Sequence, residues 1–165
     1  MDVAWIRLLV LRELASFSTE LDLFPDERLV WTTAPGVTNP AGTLALHVAG
    51  NLQYYVGAVL GGTGYVRDRD REFGARNVPR SELSEGLRRT STVVGETLSA
   101  LPNESLALEY PDVLGGVRVP TGLFLLHLEA HLAHHLGQAG YLRRLLTGEN
   151  RSSGAVPIKA LAGRR

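Results

Sequence analysis

"HLEAHLAHHLGQ", residues 127–138, carries four of the five histidines in this chain of 165 residues. An α-helix turns about 100° per residue, so side chains four apart are neighbours on one face. His127, His131 and His135 therefore climb a single face, with His134, Gln138 and Tyr141 close to the same side. Glu129, Arg143 and Arg144 fall on other sides. The surrounding pattern predicts a helix from about Thr121 to Thr147, closed by Gly148 as its C-cap. Two imidazoles one turn apart can chelate one metal ion. By spacing alone the pair is His127/His131 or His131/His135, and both remain open.

The fifth histidine, His47, stands in "LALHVAGNLQYY". A second helix is signalled there by Leu44, Val48, Leu52, Tyr55, Val56 and Val59 at helical spacing. Asn39 is placed to cap it, Pro40 suits the first helical position, and Gly61-Gly62 ends it. Beside the apolar face runs a stripe of His47, Asn51, Tyr54 and Ala58. His47 can thus face the histidine helix and supply a third imidazole. Catalytic zinc sites often use three protein ligands and leave a position open. The zinc-protease pattern H-E-x-x-H is absent, since Leu132 follows His131 and the Glu of "HLEAH" points elsewhere. No catalytic residue is assigned.

Two more helices complete the pattern. One runs over about residues 2–19 with Asp2 as N-cap, apolar around much of its circumference. The other runs from Pro79 to Leu101 with Leu83, Leu87, Val94 and Leu98 inward. "GGTGYVRDRDREFGARNVP", residues 61–79, is long enough to cross the length of a bundle, and its alternating Arg and Asp read as a self-satisfied ion-paired segment. "SLALEYPDVLGGVRVP", residues 105–120, reads as a short hairpin or irregular loop. The expectation is an all-α four-helix bundle over residues 1–148 with a long crossing between its second and third helices, then a polar C-terminal tail over 149–165.

Composition excludes several functions. Lys plus Arg and Asp plus Glu number 17 each, so no net charge draws the chain to nucleic acid or a membrane. There is no cysteine, which removes disulfides, thiolate zinc sites and a cysteine nucleophile. "MDVAWIRLLVLREL" lacks the basic start and unbroken apolar run of a signal peptide, and no stretch approaches the ~18–20 apolar residues of a membrane span. A cytoplasmic protein is expected.

"NPAGTLALHVAGNLQYYVGAVLGGTGYVRDRDREF" (39–73) with "HLEAHLAHHLGQAGYLRRLL" (127–146) resembles the DinB-like superfamily of damage-inducible, YfiT-type proteins. That family carries one His on its second helix and H-x-x-x-H followed by x-G-Q on its fourth. The resemblance implies His47, His131 and His135 as ligands of one divalent ion, zinc or alternatively nickel. It also implies an up-down-down-up path and a homodimer. Some relatives are S-transferases using low-molecular-weight thiols, and a chain without cysteine would take its thiol from a cosubstrate. Asn51, Tyr54, His127, His134, Gln138 and Tyr141 are expected around the ligands, as pocket lining or as partners of the rings. The alternative function is a non-catalytic, metal-binding stress-response bundle that acts as a dimeric interaction module.

Overall fold

The computed structural model describes residues 2–113 and 115–153. Most of them are helical, and no strand occurs among them. Helix α1 spans Val3–Asp22, α2 spans Ala41–Leu52, α3 is a short helix over Arg69–Gly74, α4 spans Arg80–Ala100 and α5 spans Thr121–Thr147. Short 3₁₀ turns occupy Glu27–Trp31 and Asn103–Ala107.

The caps follow from local chemistry. Asp2 accepts a hydrogen bond from the Ala4 amide at the start of α1, satisfying one of the orphan donors of a helix N-terminus. Gly148 takes a left-handed φ of 69° after α5, and its N–H bonds to the Arg144 carbonyl. At α2 the start is one residue later than expected. Pro40 is the N-cap and no side chain caps the helix, so Asn39 has no capping role. Pro40 has no N–H to offer and its φ of −68° leads directly into the helix.

Beyond Leu52 the same helix widens to π winding over Gln53–Leu60, ending with the Gly61 amide bonded to the Val56 carbonyl. This winding uses more residues per turn than an α-helix, so a stripe drawn at α spacing through His47 and Asn51 does not continue straight. Tyr54 goes instead to the 108–120 connection, where its hydroxyl donates to Asp112 across 3.2 Å. Among the described residues of that connection there is one bridge, between Glu109 and Pro120, and no strand. It is fastened by Tyr110, fully buried, whose hydroxyl bonds to the Tyr55 carbonyl at 2.6 Å.

Helices α1 and α2 each pack against both α4 and α5. The core between them is made of Ile6, Val10, Leu14 and Phe17 from α1, Leu44, Val48 and Leu52 from α2, Leu83, Leu87, Val94 and Leu98 from α4, and Leu125, Leu128 and Leu132 from α5. Each buried side chain of this kind contributes about 1.5–3 kcal/mol through removal of apolar area from water. One charged pair is sunk into the same interior. Arg143 donates to Glu20 at 2.7 Å, with side-chain exposures of 0% and 1%. The pair also holds the chain just past α5. Arg143 donates to the Arg151 carbonyl, and Glu20 accepts from the Ser153 amide at 2.9 Å. Of the expected tail, residues 154–165 lie outside the described residues. No helix among the described residues is long and apolar enough to cross a membrane.

Candidate metal centre

His47 lies in the middle of α2 and is buried. His131 and His135 lie one turn apart on α5, each partly exposed. The three rings converge. His131 Nε2 is 3.2 Å from His47 Nε2 and 3.0 Å from His135 Nε2, and one nitrogen from each ring lies within 4.8 Å of the others.

The hydrogen bonds behind the rings decide which nitrogens carry protons. His47 Nδ1 is 2.9 Å from Glu72 Oε2, which can only accept, and 3.3 Å from Arg67 Nη2, which can only donate; the shorter contact with the carboxylate favours the proton on Nδ1. His135 Nδ1 is 2.8 Å from Gln138 Oε1, which fixes the same tautomer. That tautomer leaves the Nε2 lone pairs of His47 and His135 free, each atom close to Nε2 of the third imidazole. Such a donor set suits a divalent cation, with imidazole favouring zinc, nickel or copper over magnesium or calcium. No fourth His, Cys, Asp or Glu joins the group among the described residues.

Electrostatics favour the neutral, ligating form. Burial pushes His131 down from 6.5 to about 4, helped by the neighbouring His135, His47 and His127 rings and by Arg67. Burial also lowers His135, against the opposing hydrogen bond that its ring donates to Gln138, with His47 and His134 adding to the fall.

Glu72 was not legible in the sequence. It belongs to α3, inside the segment read as a solvated ion-paired crossing. Asp68 caps α3 by accepting from the Arg71 amide at 2.8 Å, and the helix so started turns Glu72 inward while Asp68 and Asp70 stay exposed. Arg67 grips the carboxylate with two bonds, Nε to Oε1 at 2.7 Å and Nη2 to Oε2 at 2.8 Å. Burial raises the carboxyl's pKa, but the hydrogen bonds from Arg67 and His47 outweigh it and hold Glu72 below the usual carboxylate range. Gly50 makes room for this contact. A Cβ there would sit 2.2 Å from Glu72 Oε1. Phe73, the next residue, places its ring 4.8 Å from that of His47.

The other expected site residues are distributed unevenly. Gln138 touches the centre through His135. His127 stacks at 6.2 Å from the His131 ring and His134 lies 5.3 Å from the His135 ring, both exposed and neither within the converging set. Asn51, one turn after His47, is buried with an Oδ1 that has no hydrogen-bond partner. Tyr54 is engaged by Asp112, and Tyr141 is 76% exposed.

Comparison with known proteins bears on the family and the fold. The model of the DinB superfamily matches residues 10–139. A crystal structure of a DinB-like protein from Bacillus cereus is similar at 24% identity and a TM-score of 0.65, over 87% of this chain and 90% of that one. At that identity the likeness concerns the fold. No curated protein matches the chain.

Proposed function

This chain belongs to the DinB superfamily, and from that premise we propose that it is a divalent-metal-dependent enzyme of the S-transferase type, using a low-molecular-weight thiol as cosubstrate. His47, His131 and His135 hold the ion, zinc or alternatively nickel. The observation that carries the reading is the cluster of three Nε2 atoms, which no fourth His, Cys, Asp or Glu joins among the described residues. Catalytic ions keep a position for water or substrate, whereas structural zinc is usually enclosed by four ligands. The partial exposure of His131 and His135 leaves an approach from outside.

A bound divalent ion would stabilise a cosubstrate thiol as thiolate near neutral pH. The chain's own residues have other tasks. Glu72 holds the Nδ1 proton of His47, and Gln138 holds that of His135. Burial keeps His131 neutral, and Phe73 covers one side of His47. Asn51 offers an unpaired acceptor one turn away, suited to a donor on water or cosubstrate.

The packing of α1 and α2 on both α4 and α5 supports a four-helix bundle with an up-down-down-up path, in which residues 61–79 form the crossing. We assign residues 1–148 to the bundle. A cytoplasmic homodimer is part of the same reading. Its support is the outer face of α5, where Leu123 and Leu126 are exposed, an apolar surface suited to an isologous contact. That face also favours the second reading, a metal-binding interaction module without catalysis. Elemental analysis of untagged protein followed by a screen of thiols with electrophiles separates the two. Stoichiometric metal with thiol turnover is the expected result. Stoichiometric metal with no turnover across the screen favours the module, and absence of metal from protein supplied with zinc and nickel removes both.

A further inference from the structure

Next to the metal centre lies a cleft of about 460 Å³, between residues 36–39, the start of α2 and the last turns of α5. Its size falls in the range of small-molecule sites. Leu44 gives it a buried apolar surface, and Val37, Tyr141 and Leu145 line it while remaining exposed. None of the lining residues is charged. Arg144 lies over the Tyr141 ring at 4.7 Å without lining the cleft.

One wall is preformed. The Val37 amide donates to the Ala34 carbonyl at 2.9 Å, and Gly36 has a φ of 80°. With Pro35 between them this is a type II turn, in which proline fixes the second position and the third requires the left-handed region that glycine enters freely. Pro40 restrains the other end. Two carboxamides face this apolar space. Asn39 does not cap α2 and makes no side-chain hydrogen bond among the described residues. Gln138 uses its oxygen to accept from His135, which leaves its NH2 group for another partner. The cleft is thus uncharged, largely apolar and lined by two amide residues, one of which touches a ring of the metal centre.

We propose that this cleft binds the body of the electrophilic substrate, an uncharged molecule with an apolar aryl or alkyl portion and a carbonyl or amide group that pairs with Asn39 and Gln138. The assignment rests on the reading of the centre as catalytic. No lining residue offers a cation to pair with the anionic part of a thiol cosubstrate, so the cleft favours an uncharged ligand over a carboxylate. Through Gln138, the ligand sits one side chain from His135.

The test uses the full chain, with zinc supplied and zinc content measured on the same samples. The probes are 4-phenylbutanamide and its carboxylate counterpart, 4-phenylbutanoate, followed by nuclear magnetic resonance of side-chain methyl and amide groups. The amide should shift Val37, Leu44, Leu145 and the Gln138 side-chain NH2, and the carboxylate should bind roughly fivefold or more weakly. Leu145→Ser removes apolar surface at an exposed position and should weaken the amide roughly fivefold, while Leu108→Ser, on an exposed residue of the other connection, should leave binding unchanged. Shifts scattered over exposed apolar residues, equal binding of amide and carboxylate, or an unaffected Leu145→Ser variant would each overturn the assignment. Zinc-loaded protein with no cleft shifts sinks the cleft and leaves the metal reading standing. Cleft shifts in protein that takes up no zinc establish the ligand site and remove its catalytic context.

Discussion

Glu72 and His47 form a buried carboxylate–imidazole pair, joined across 2.9 Å with side-chain exposures of 5% and 6%. The pair ties α3 to the middle of α2 and decides which nitrogen of His47 is free to ligate. Partners of this kind commonly change metal affinity by about 10–100-fold when removed. Glu72→Ala should lower zinc affinity by that order, measured by competition with a chromogenic chelator. Glu72→Gln keeps an acceptor for the His47 proton but loses the charge that Arg67 grips, and should fall between the two. An alanine variant within about twofold of the wild type would show that His47 needs no such partner.

Gly50→Ala sets two effects against each other. Alanine in a helix interior is favoured over glycine by roughly 0.5–1 kcal/mol. Its Cβ, however, would fall 2.2 Å from Glu72 Oε1. Displacing the carboxylate weakens its hydrogen bonds with Arg67 and His47, and bonds to charged groups are worth about 1.5–3 kcal/mol each. The second effect is larger, so the variant should lose both stability and zinc affinity. A gain in denaturation midpoint with unchanged affinity would show that α3 simply moves aside.

Metal content across five His→Ala variants tests the ligand set. His47, His131 and His135 should each be required for one equivalent of zinc, since any pair left behind offers only two donors. His127 and His134 are exposed and outside the converging group, so their variants should keep most of the metal. Loss of the ion from His127→Ala with retention in His135→Ala would reverse the assignment.

These residues also mark how far the sequence could be read. The four long helices followed from apolar spacing, and Asp2 and Gly148 marked two ends because their side chain and backbone act locally. The convergence of His47 on His131 and His135 needed only helical geometry and a family likeness to choose between two equally spaced pairs. Glu72 escaped because its neighbours Arg67, Asp68, Arg69, Asp70 and Arg71 alternate in charge as a solvated segment does. Only the turn started by Asp68 separates the one inward carboxylate from the exposed ones. The pairing of Tyr54 with Asp112 escaped for a related reason. A stripe drawn at 3.6 residues per turn does not survive the π winding that begins at Gln53, and no residue pattern announced that winding.

In metal-free protein His131 should titrate near 4 in place of the ordinary 6.5. The sign of the stability effect follows directly. Between 6.5 and about 4 the unfolded chain binds a proton at this position and the folded chain does not, so stability falls as pH is lowered through that window. His135, also lowered by burial, acts in the same direction. Denaturation midpoints of the apo protein should therefore decline across this range, and His131→Gln should flatten the decline. Proton resonances of the imidazole rings give the independent check, and a His131 midpoint near 6.5 would remove the premise.

Glu20 and Arg143 stand apart from the metal centre, so their variants test the fold separately. Removing one partner of a buried ion pair leaves an uncompensated charge, at a cost of about 3–5 kcal/mol. Glu20→Ala should be destabilised by that amount, because Arg143 is fully buried and would lose its counter-charge while the Ser153 amide loses its acceptor. Replacing both, as in Glu20→Leu with Arg143→Met, removes both charges together and should recover much of the loss. The recovery should be incomplete, since the Arg151 carbonyl and the Ser153 amide lose their partners in the double variant. Urea denaturation of Glu20→Leu, Arg143→Met and the double variant measures the coupling. Zinc affinity should stay at the wild-type level in the double variant, because neither residue touches the histidines. Equal destabilisation in the single and double variants would mean that the attachment of residues 151–153, and not the buried charge, dominates at this position.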